Sequence, residues 1–337
     1  MHRGKAWVLA GFAVLMFLLI GAFIQHSQSA EPHAPATVSH QRQSAITKQS
    51  SRKTQAASTP SQTAPSIAGS TVAQTSSSLA AFTFSAPTLQ RSWSYMAYVP
   101  AGYDPHKRYP LVLMLHGMDG DDTNLVQLVD SKSLLDEAVN STGHPAVVVF
   151  VDGGNSFYVD SPAEKMQTAI MQDLLPHLKQ QFALLSQADA YAVGGVSMGG
   201  YGALRLVLAE PQQFRIAAAL SPAVWQQVPE AAQSRMPAFL THGQWDQARW
   251  DADQPANMLT ADRLAGLKVY LASGQADTTV PFTDVTHFVS QLQAVGVTPT
   301  TSWSAAGTHG FNYWQQALPQ RISGCCNSYQ EQQPTNI

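Results

Sequence analysis

The stretch Gly195-Val196-Ser197-Met198-Gly199-Gly200 constrains the fold of this chain more than any other part of it. It has the pattern Gly-x-Ser-x-Gly, follows the apolar run 190–193 and precedes a helical pattern over 201–209. In a strand–turn–helix context this pattern lifts a serine hydroxyl clear of the edge of a sheet. The alternative is an ordinary glycine-rich turn. We predict a strand, a sharp turn and a helix here, with Ser197 as a nucleophile.

Strand patterns alternate with helical patterns through the rest of the chain. Trp93, Tyr95, Ala97 and Val99 lie on one face of an early strand predicted over 91–100. Almost wholly apolar runs are typical of strands that are buried on both faces of a parallel sheet. The further predicted strands cover 109–115, 146–151, 214–220, 268–273 and 300–305. The sequence therefore predicts an α/β fold, with a mostly parallel sheet and helices on both of its faces.

Three more helices are predicted, over 161–182, 282–295 and 311–321. The first of them is long, and Asp160 or Ser161 is expected to be its N-cap. Pro162 is compatible with this assignment, because proline is favoured in the first turn of a helix. This pattern predicts that the helix begins at residue 161.

The N-terminal part of the chain differs from the rest in composition. Arg3 and Lys5 precede an uncharged run over 6–24, which is long for a signal-peptide core and about right for a membrane span. Positive charge ahead of such a run directs the downstream chain out of the cytoplasm. We interpret 1–24 as a membrane anchor or a signal peptide. Ser, Thr, Gln, Ala and Pro dominate 25–80, which predicts a flexible stalk.

The folded domain is expected over 81–323, followed by a C-terminal tail over 324–337. The tail contains the adjacent Cys325 and Cys326, which lack the spacing of metal ligands and whose role stays open.

The net charge is −3 and the sequence has no basic cluster, so nucleic acid is not an expected partner. The low charged fraction of 12% suits an extracytoplasmic protein. We expect a cell-membrane protein with an extracellular catalytic domain, or a secreted one.

Chemically useful residues follow several of the predicted strands. They include Met118, Ser197, Asp277 and His309, and ligands bind at the carboxyl ends of strands in an open parallel sheet. Serine, acid and histidine follow one another in the order found in α/β-hydrolases. We predict His309 as the general base and Asp277 as the group that orients its ring. The main-chain N–H groups of Met118 and Met198 are the predicted oxyanion hole.

Other residues compete for these roles. His116 precedes a glycine turn, which suggests a structural role, and His287 lies inside a predicted helix. His242 follows a short apolar run, but we expect no helix closely behind it. Asp246 is the rival for the acid, because it also follows a short apolar run. We prefer Asp277, because the strand before it is stronger and lies one helix before the histidine strand.

Three segments resemble the esterase D group of α/β-hydrolases. That group includes S-formylglutathione hydrolases, secreted acetyl and feruloyl esterases and the mycobacterial mycolyltransferases. The serine motif over 195–203 is similar to that of the group, and 154–160 resembles the segment after the fourth strand of the mycolyltransferases. The segment 307–314, with its histidine and a downstream Tyr-Trp pair, resembles the histidine segment of the group. The resemblance extends over about 85–320 and implies the α/β-hydrolase fold.

The resemblance implies Ser197 as nucleophile and His309 as base, with oxyanion donors at Met198 and after His116-Gly117. The chain also departs from the group. S-formylglutathione hydrolases usually carry a cysteine near the first donor, and this chain has none there. Mycolyltransferases have arginine just after that donor, where this chain has Asp119, and they use glutamate as the acid. The resemblance therefore implies serine-dependent acyl chemistry without either specific activity.

The function that we expect is extracytoplasmic hydrolysis of a small-molecule or cell-surface carboxylic ester through an acyl-enzyme. No metal or cofactor is expected, and the membrane is a partner only through the N-terminal segment. One alternative is an acyltransferase that passes the acyl group to a sugar or a cell-wall alcohol. Another, from a different class, is a catalytically dead binding protein anchored at the surface.

Substrate-binding residues are expected at two places. Relatives place the segment that contains Asp160 near the substrate cleft, although Asp160 is also a candidate helix cap. The segment 222–266 is too long for a plain connection and is expected to cover the cleft. Its tryptophans, Trp225 among them, are suited either to stacking on a sugar or aryl group or to packing at the surface.

Overall fold

A computed structural model describes residues 75–318 of the 337-residue chain. The predicted segment 1–24, most of the predicted stalk and the tail with Cys325 and Cys326 lie outside the described residues.

One sheet of eight strands, in the order β1-β2-β4-β3-β5-β6-β9-β10, forms the centre of the fold. Its strands are β1 (Ser78–Ala86), β2 (Arg91–Val99), β3 (Leu111–Leu115), β4 (Val147–Val151), β5 (Tyr191–Val196), β6 (Ile216–Leu220), β9 (Lys268–Gly274) and β10 (Thr300–Ser304).

Helices cover both faces of this sheet. The strands from β3 to β10 pair in parallel within it, while β1 and β2 are antiparallel to their neighbours. Alternate residues of β3 belong to two different apolar clusters, one on each face: Leu113 to the first and Met114 to the second. The predicted mostly parallel sheet between helices is thus confirmed. The main helices are α1 (Asn124–Leu128), α2 (Ser131–Thr142), α3 (Met166–Ala169), α4 (Leu175–Gln181), α5 (Met198–Ala209), α9 (Phe282–Ala294) and α10 (311–318).

Strand β1 was not predicted, and it starts at Ser78, inside the segment 25–80 that we expected to be a stalk. Its sequence is made largely of small residues, so its apolar signal is weak. Phe82 and Phe84 nevertheless point inward with the two-residue period of a strand, and Phe82 stacks on Tyr95 of β2 with the ring centroids 5.2 Å apart. The pairing with β2 therefore supplies the core contacts that decide the structure of this segment.

The predicted helix 161–182 begins later than expected. Ser161 closes a tight turn, in which its N–H donates to the carbonyl oxygen of Glu164 at 2.8 Å, and α3 starts only at Met166. A π-helical segment (Ile170–Leu174) joins α3 to α4. Asp160 still caps this helix from a distance, because its carboxylate accepts from the backbone N–H of Thr168 at 3.0 Å. The prediction that Asp160 or Ser161 directly precedes the helix was therefore wrong.

The long segment 222–266 folds into short elements. They are α6 (Glu230–Gln233), β7 (Leu240–Thr241), β8 (Gln244–Trp245), α7 (Gln247–Asp253) and α8 (Ala261–Leu264). An aromatic cluster attaches them to the domain: Trp250 stacks on Tyr201 of α5 at a centroid distance of 5.3 Å and meets Phe239 edge-on at 4.9 Å.

No helix within residues 75–318 has the length and apolarity needed to cross a bilayer.

His116, directly after β3, joins the carboxyl ends of two neighbouring strands. Its ring is 1% exposed. Nδ1 lies 2.7 Å from the carbonyl oxygen of Gly117, which can only accept, so Nδ1 carries the proton. Nε2 then accepts from the backbone N–H of Gly153, after β4, at 3.0 Å. The neutral ring therefore makes both hydrogen bonds, one to the Gly117 carbonyl and one from the Gly153 N–H. A second proton, on Nε2, would point at the Gly153 N–H, which is also a donor.

This arrangement predicts how stability depends on pH. Burial lowers the pKa of His116 below its ordinary value of 6.5. The unfolded chain therefore takes up a proton at a higher pH than the folded chain does, and the stability that depends on neutral His116 is lost as the pH falls below about 6.5. We expect the free energy of unfolding, measured in urea, to decrease from pH 7 to pH 5 in the wild type.

The matched variant for this measurement is His116→Gln, which has no titrating ring. It is expected to be less stable than the wild type at pH 7 and to lose less stability on acidification. Burial also lowers the pKa of His177, which contributes to the slope in both proteins. Identical slopes in the two proteins would contradict the assignment to His116.

Candidate active site

Three strand ends bring together Ser197, His309 and Asp277. Ser197 follows β5, Asp277 lies in the turn after β9, and His309 lies in the loop after β10. The Oγ of Ser197 is 2.8 Å from Nε2 of His309, and Nδ1 of the same ring is 2.7 Å from Oδ2 of Asp277. The structure thus places these predicted residues in one hydrogen-bonded series.

Ser197 sits on the predicted sharp turn between β5 and α5. Its backbone has φ 54° and ψ −116°, a conformation that costs a non-glycine residue on the order of 1–3 kcal/mol. Its N–H donates to the carbonyl oxygen of Leu220 at 2.9 Å, and its carbonyl accepts from Ala223 at 3.1 Å, so β6 and the residues after it hold the turn. At Gly199 a Cβ atom would overlap the carbonyl of Leu115, which explains the need for glycine there.

Asp277 is buried and fully engaged. Its side chain is 0% exposed, and Oδ1 accepts from the backbone N–H groups of Thr279 and Val280 at 2.9 Å each. Since Oδ2 accepts from Nδ1–H of His309, the lone pair on Nε2 faces the hydroxyl of Ser197. The series can therefore move a proton from the serine to the imidazole while the carboxylate holds the ring.

The two predicted oxyanion donors lie beside Ser197. Met198 is the first residue of α5, where N–H groups have no partner within the helix. Met118 follows Gly117, and a Cβ atom added to Gly117 would be 3.5 Å from Cβ of Ser197. Within residues 75–318, neither of these N–H groups donates to an acceptor of the protein. Both are thus available to a negatively charged oxygen at the serine.

The rival residues have other roles in the structure. Asp246 is the N-cap of α7, where it accepts from the N–H of Arg249 at 3.0 Å and from the hydroxyl of Thr241 at 2.7 Å. His287 lies within α9. His242 forms the turn between β7 and β8, and α7 begins at Gln247, so our expectation that no helix follows His242 closely was wrong.

The two predicted substrate-binding residues are both engaged in the fold. The carboxylate of Asp160 accepts two hydrogen bonds from Thr168, through its N–H at 3.0 Å and its hydroxyl at 2.6 Å. Trp225 is 4% exposed and packs against Trp250, and its Nε1–H donates to the carbonyl oxygen of Thr279 at 2.9 Å. The structure therefore leaves Trp225 no open ring face for stacking, because long-range packing buries it next to the Asp277 turn.

Sequence reasoning missed two partners of the loop that carries Met118. Asp119 pairs with Asn155 of the loop after β4 and with Arg235 of the segment 222–266. The sequence singles out the segment 154–160 through its resemblance to known proteins and through Asp160 as a helix cap, and nothing in the local pattern links Asn155 to Asp119. Within residues 75–318, no group of three or more His, Cys, Asp and Glu side chains is arranged to hold a metal ion.

The chain is similar to several known proteins. Residues 86–324 match the model of the family described as "Putative esterase". A Mycobacterium tuberculosis protein named as an esterase is 26% identical over 188 residues, which are 50% of this chain and 39% of that protein. The chain spans about half the length, or less, of the curated relatives it matches.

Solved structures share the fold. A ferulic acid esterase superposes with a TM-score of 0.67 at 20% identity, over 76% of this chain and 100% of the other. An S-formylglutathione hydrolase from Staphylococcus aureus superposes with a TM-score of 0.60 at 18% identity, over 74% of this chain and 99% of the other. The predicted α/β-hydrolase fold and the resemblance to this group of esterases are confirmed.

Proposed function

The chain belongs to the family described as "Putative esterase", and on that premise we propose that it hydrolyses carboxylic esters through an acyl-enzyme on Ser197. The observation that carries the proposal is the unbroken series from Ser197 Oγ through His309 to Asp277, with distances of 2.8 and 2.7 Å. Nucleophile, base and ring-orienting carboxylate are the parts that activate a serine hydroxyl.

In the proposed first half-reaction, Oγ of Ser197 attacks the carbonyl carbon of the ester while Nε2 of His309 takes the hydroxyl proton. The carbonyl oxygen becomes negative, and the N–H groups of Met118 and Met198 donate to it. The tetrahedral intermediate then collapses and its C–O bond to the alcohol breaks. His309 gives its proton to the departing oxygen, which leaves the acyl group on Ser197.

In the second half-reaction, water attacks the acyl carbon and His309 takes a proton from that water. Collapse of the second tetrahedral intermediate releases the carboxylic acid, and His309 returns the proton to Oγ of Ser197. Asp277 remains a carboxylate throughout and stabilises the imidazolium that forms twice in the cycle. The proposed substrate is a small-molecule or cell-surface ester that reaches Ser197 at the carboxyl ends of the strands.

We predict that Ser197→Ala loses at least about 1,000-fold in the rate of p-nitrophenyl acetate hydrolysis, because the acyl group then has no acceptor oxygen. The exposed Ser133→Ala variant on α2 is the matched control and is expected to keep wild-type activity. A fluorophosphonate probe is expected to label the wild type and Ser133→Ala but not Ser197→Ala. An unlabelled, inactive wild type would contradict the proposal and favour a binding protein.

We predict that Asp277→Asn lowers kcat by about 10,000-fold, whereas Asp246→Asn stays within about threefold of wild type. An amide that keeps its oxygen toward the N–H groups of Thr279 and Val280 presents its NH2 group to His309. Nδ1 must then accept, so the proton moves to Nε2 and the ring cannot act as a base toward Ser197. Steady-state kinetics on one ester measure both variants, and a large loss in Asp246→Asn alone would reverse the assignment.

We also propose an extracytoplasmic location, supported by the run 6–24 and by Arg3 and Lys5 ahead of it. Intact cells are then expected to hydrolyse a membrane-impermeant ester, with the protein retained in the membrane fraction at high salt. Recovery from the medium with an N-terminus near residue 30 would indicate a cleaved signal peptide. Recovery of the protein in the cytoplasm would contradict both versions.

A further inference from the structure

The Met118 N–H depends on its neighbours for its direction, and we propose that Asn155 is the positioning residue that holds this donor in place during the reaction. Asn155 does not touch the reacting atoms in this arrangement and acts through Asp119. The inference rests on the proposed function, because Met118 matters only if a negatively charged oxygen forms at Ser197.

Asn155 and Asp119 form a reciprocal pair. The backbone N–H of Asp119 donates to Oδ1 of Asn155 at 2.8 Å, and Nδ2 of Asn155 donates to Oδ1 of Asp119 at 2.9 Å. The pair therefore fixes both the side chain of Asp119 and the peptide unit that joins it to Met118. Asp119 has φ 61°, a left-handed conformation that a non-glycine residue adopts only when its surroundings hold it there.

The peptide unit on the other side of Met118 is held as well. The carbonyl oxygen of Gly117 accepts from Nδ1–H of His116 at 2.7 Å and from the N–H of Gly120 at 3.2 Å. Because a trans peptide is planar, the direction of this carbonyl sets the opposite direction of the Met118 N–H. The Met118 N–H belongs to this unit, and the Asn155 pair holds the unit on the other side of Met118. Because Gly120 directly follows Asp119, loss of the Asn155 pair would also release the Gly120 N–H that helps to hold the Gly117 carbonyl.

The loop that carries Asn155 is itself anchored in the core. Phe157 and Tyr158 are fully buried, and both have left-handed backbones, with φ 54° and 59°. The hydroxyl of Tyr158 donates to the carbonyl oxygen of His116 at 3.1 Å. A Cβ atom on Gly153 would overlap the ring of Tyr158, so the loop packs too closely to shift as a body. Asn155 is therefore a rigid support for the more exposed Asp119.

Asp119 has a second partner that serves as a comparison. Arg235 pairs with the other carboxylate oxygen, but its side chain is 61% exposed and that of Asp119 is 57% exposed. Exposed ion pairs are screened by solvent and hold geometry weakly. The hydrogen bond from Asn155, together with the hydrogen bond and the positive charge of Arg235, lowers the pKa of the Asp119 carboxyl. We therefore assign the positioning to Asn155 and not to Arg235.

The first test compares kcat and KM. Asn155→Ala is expected to lower kcat for p-nitrophenyl acetate by about 10- to 100-fold and to leave KM within about twofold of wild type. A small displacement of an N–H group that donates to the transition state slows the reaction but does not weaken binding of the substrate. Asn257→Ala is the matched control, since it removes an amide that donates to the Asp251 carbonyl oxygen at 2.8 Å away from this loop. Asn257→Ala and Arg235→Gln are expected to stay within about twofold of wild type in both constants.

The second test is a rescue. Asn155→Asp places a carboxylate oxygen against Asp119 and is expected to lose at least as much kcat as Asn155→Ala. In the double variant Asp119→Asn/Asn155→Asp, the side-chain amide of residue 119 donates to the carboxylate of residue 155, so the side-chain hydrogen bond runs in the reverse direction. The carboxylate of residue 155 still accepts from the backbone N–H of residue 119. We expect its kcat to return to within about fivefold of wild type.

The outcomes separate the two proposals. An active wild type with an equally active Asn155→Ala overturns the positioning role alone. A double variant no better than folded Asn155→Asp, as judged by circular dichroism, overturns it too. A wild type that neither hydrolyses esters nor reacts with a fluorophosphonate overturns the proposed function, and the positioning role with it.

Discussion

The hydrogen bond between Nδ1 of His309 and Oδ2 of Asp277 is the interaction on which the site depends. It is 2.7 Å long and shielded from water, since the carboxylate is fully buried. It selects the ring tautomer and aims Nε2 at Ser197. Without it, the proximity of the histidine and the serine would not define a direction for proton transfer.

The sheet makes this bond possible by bringing distant segments to one edge. Strand β6 and then β9 lie between β5, which carries Ser197, and β10, which leads to His309. Neighbouring strands are about 4.8 Å apart, so the loop after β10 must return across the sheet. The backbone holds it there: the N–H of Ala276 donates to the carbonyl oxygen of Gly307 at 3.1 Å, next to the Asp277 turn.

Several residues with strained backbone conformations lie at this edge of the sheet. Ser197, Ser221, Asp119, Phe157 and Tyr158 all have left-handed φ values between 44° and 61°. Such conformations persist where neighbouring contacts determine them, and here those contacts come from the next strand or loop. Ser221 illustrates this, because its N–H donates to the carbonyl oxygen of Ala272 at 2.7 Å and its hydroxyl accepts from Trp314 at 3.2 Å. Rigid placement of polar groups is what electrostatic stabilisation of a transition state requires.

The sequence by itself determined the parallel sheet, the turn at Ser197 and the order of serine, acid and histidine, because apolar runs and small residues report burial and close approach locally. Tertiary structure decided what local patterns do not encode. Strand β1 exists through its pairing with β2, Asp160 caps a helix through Thr168, and Trp225 is buried against a distant turn. The pairing of Asn155 with Asp119 is of the same kind, since polar partners far apart in the chain are set by the fold that brings their strands together.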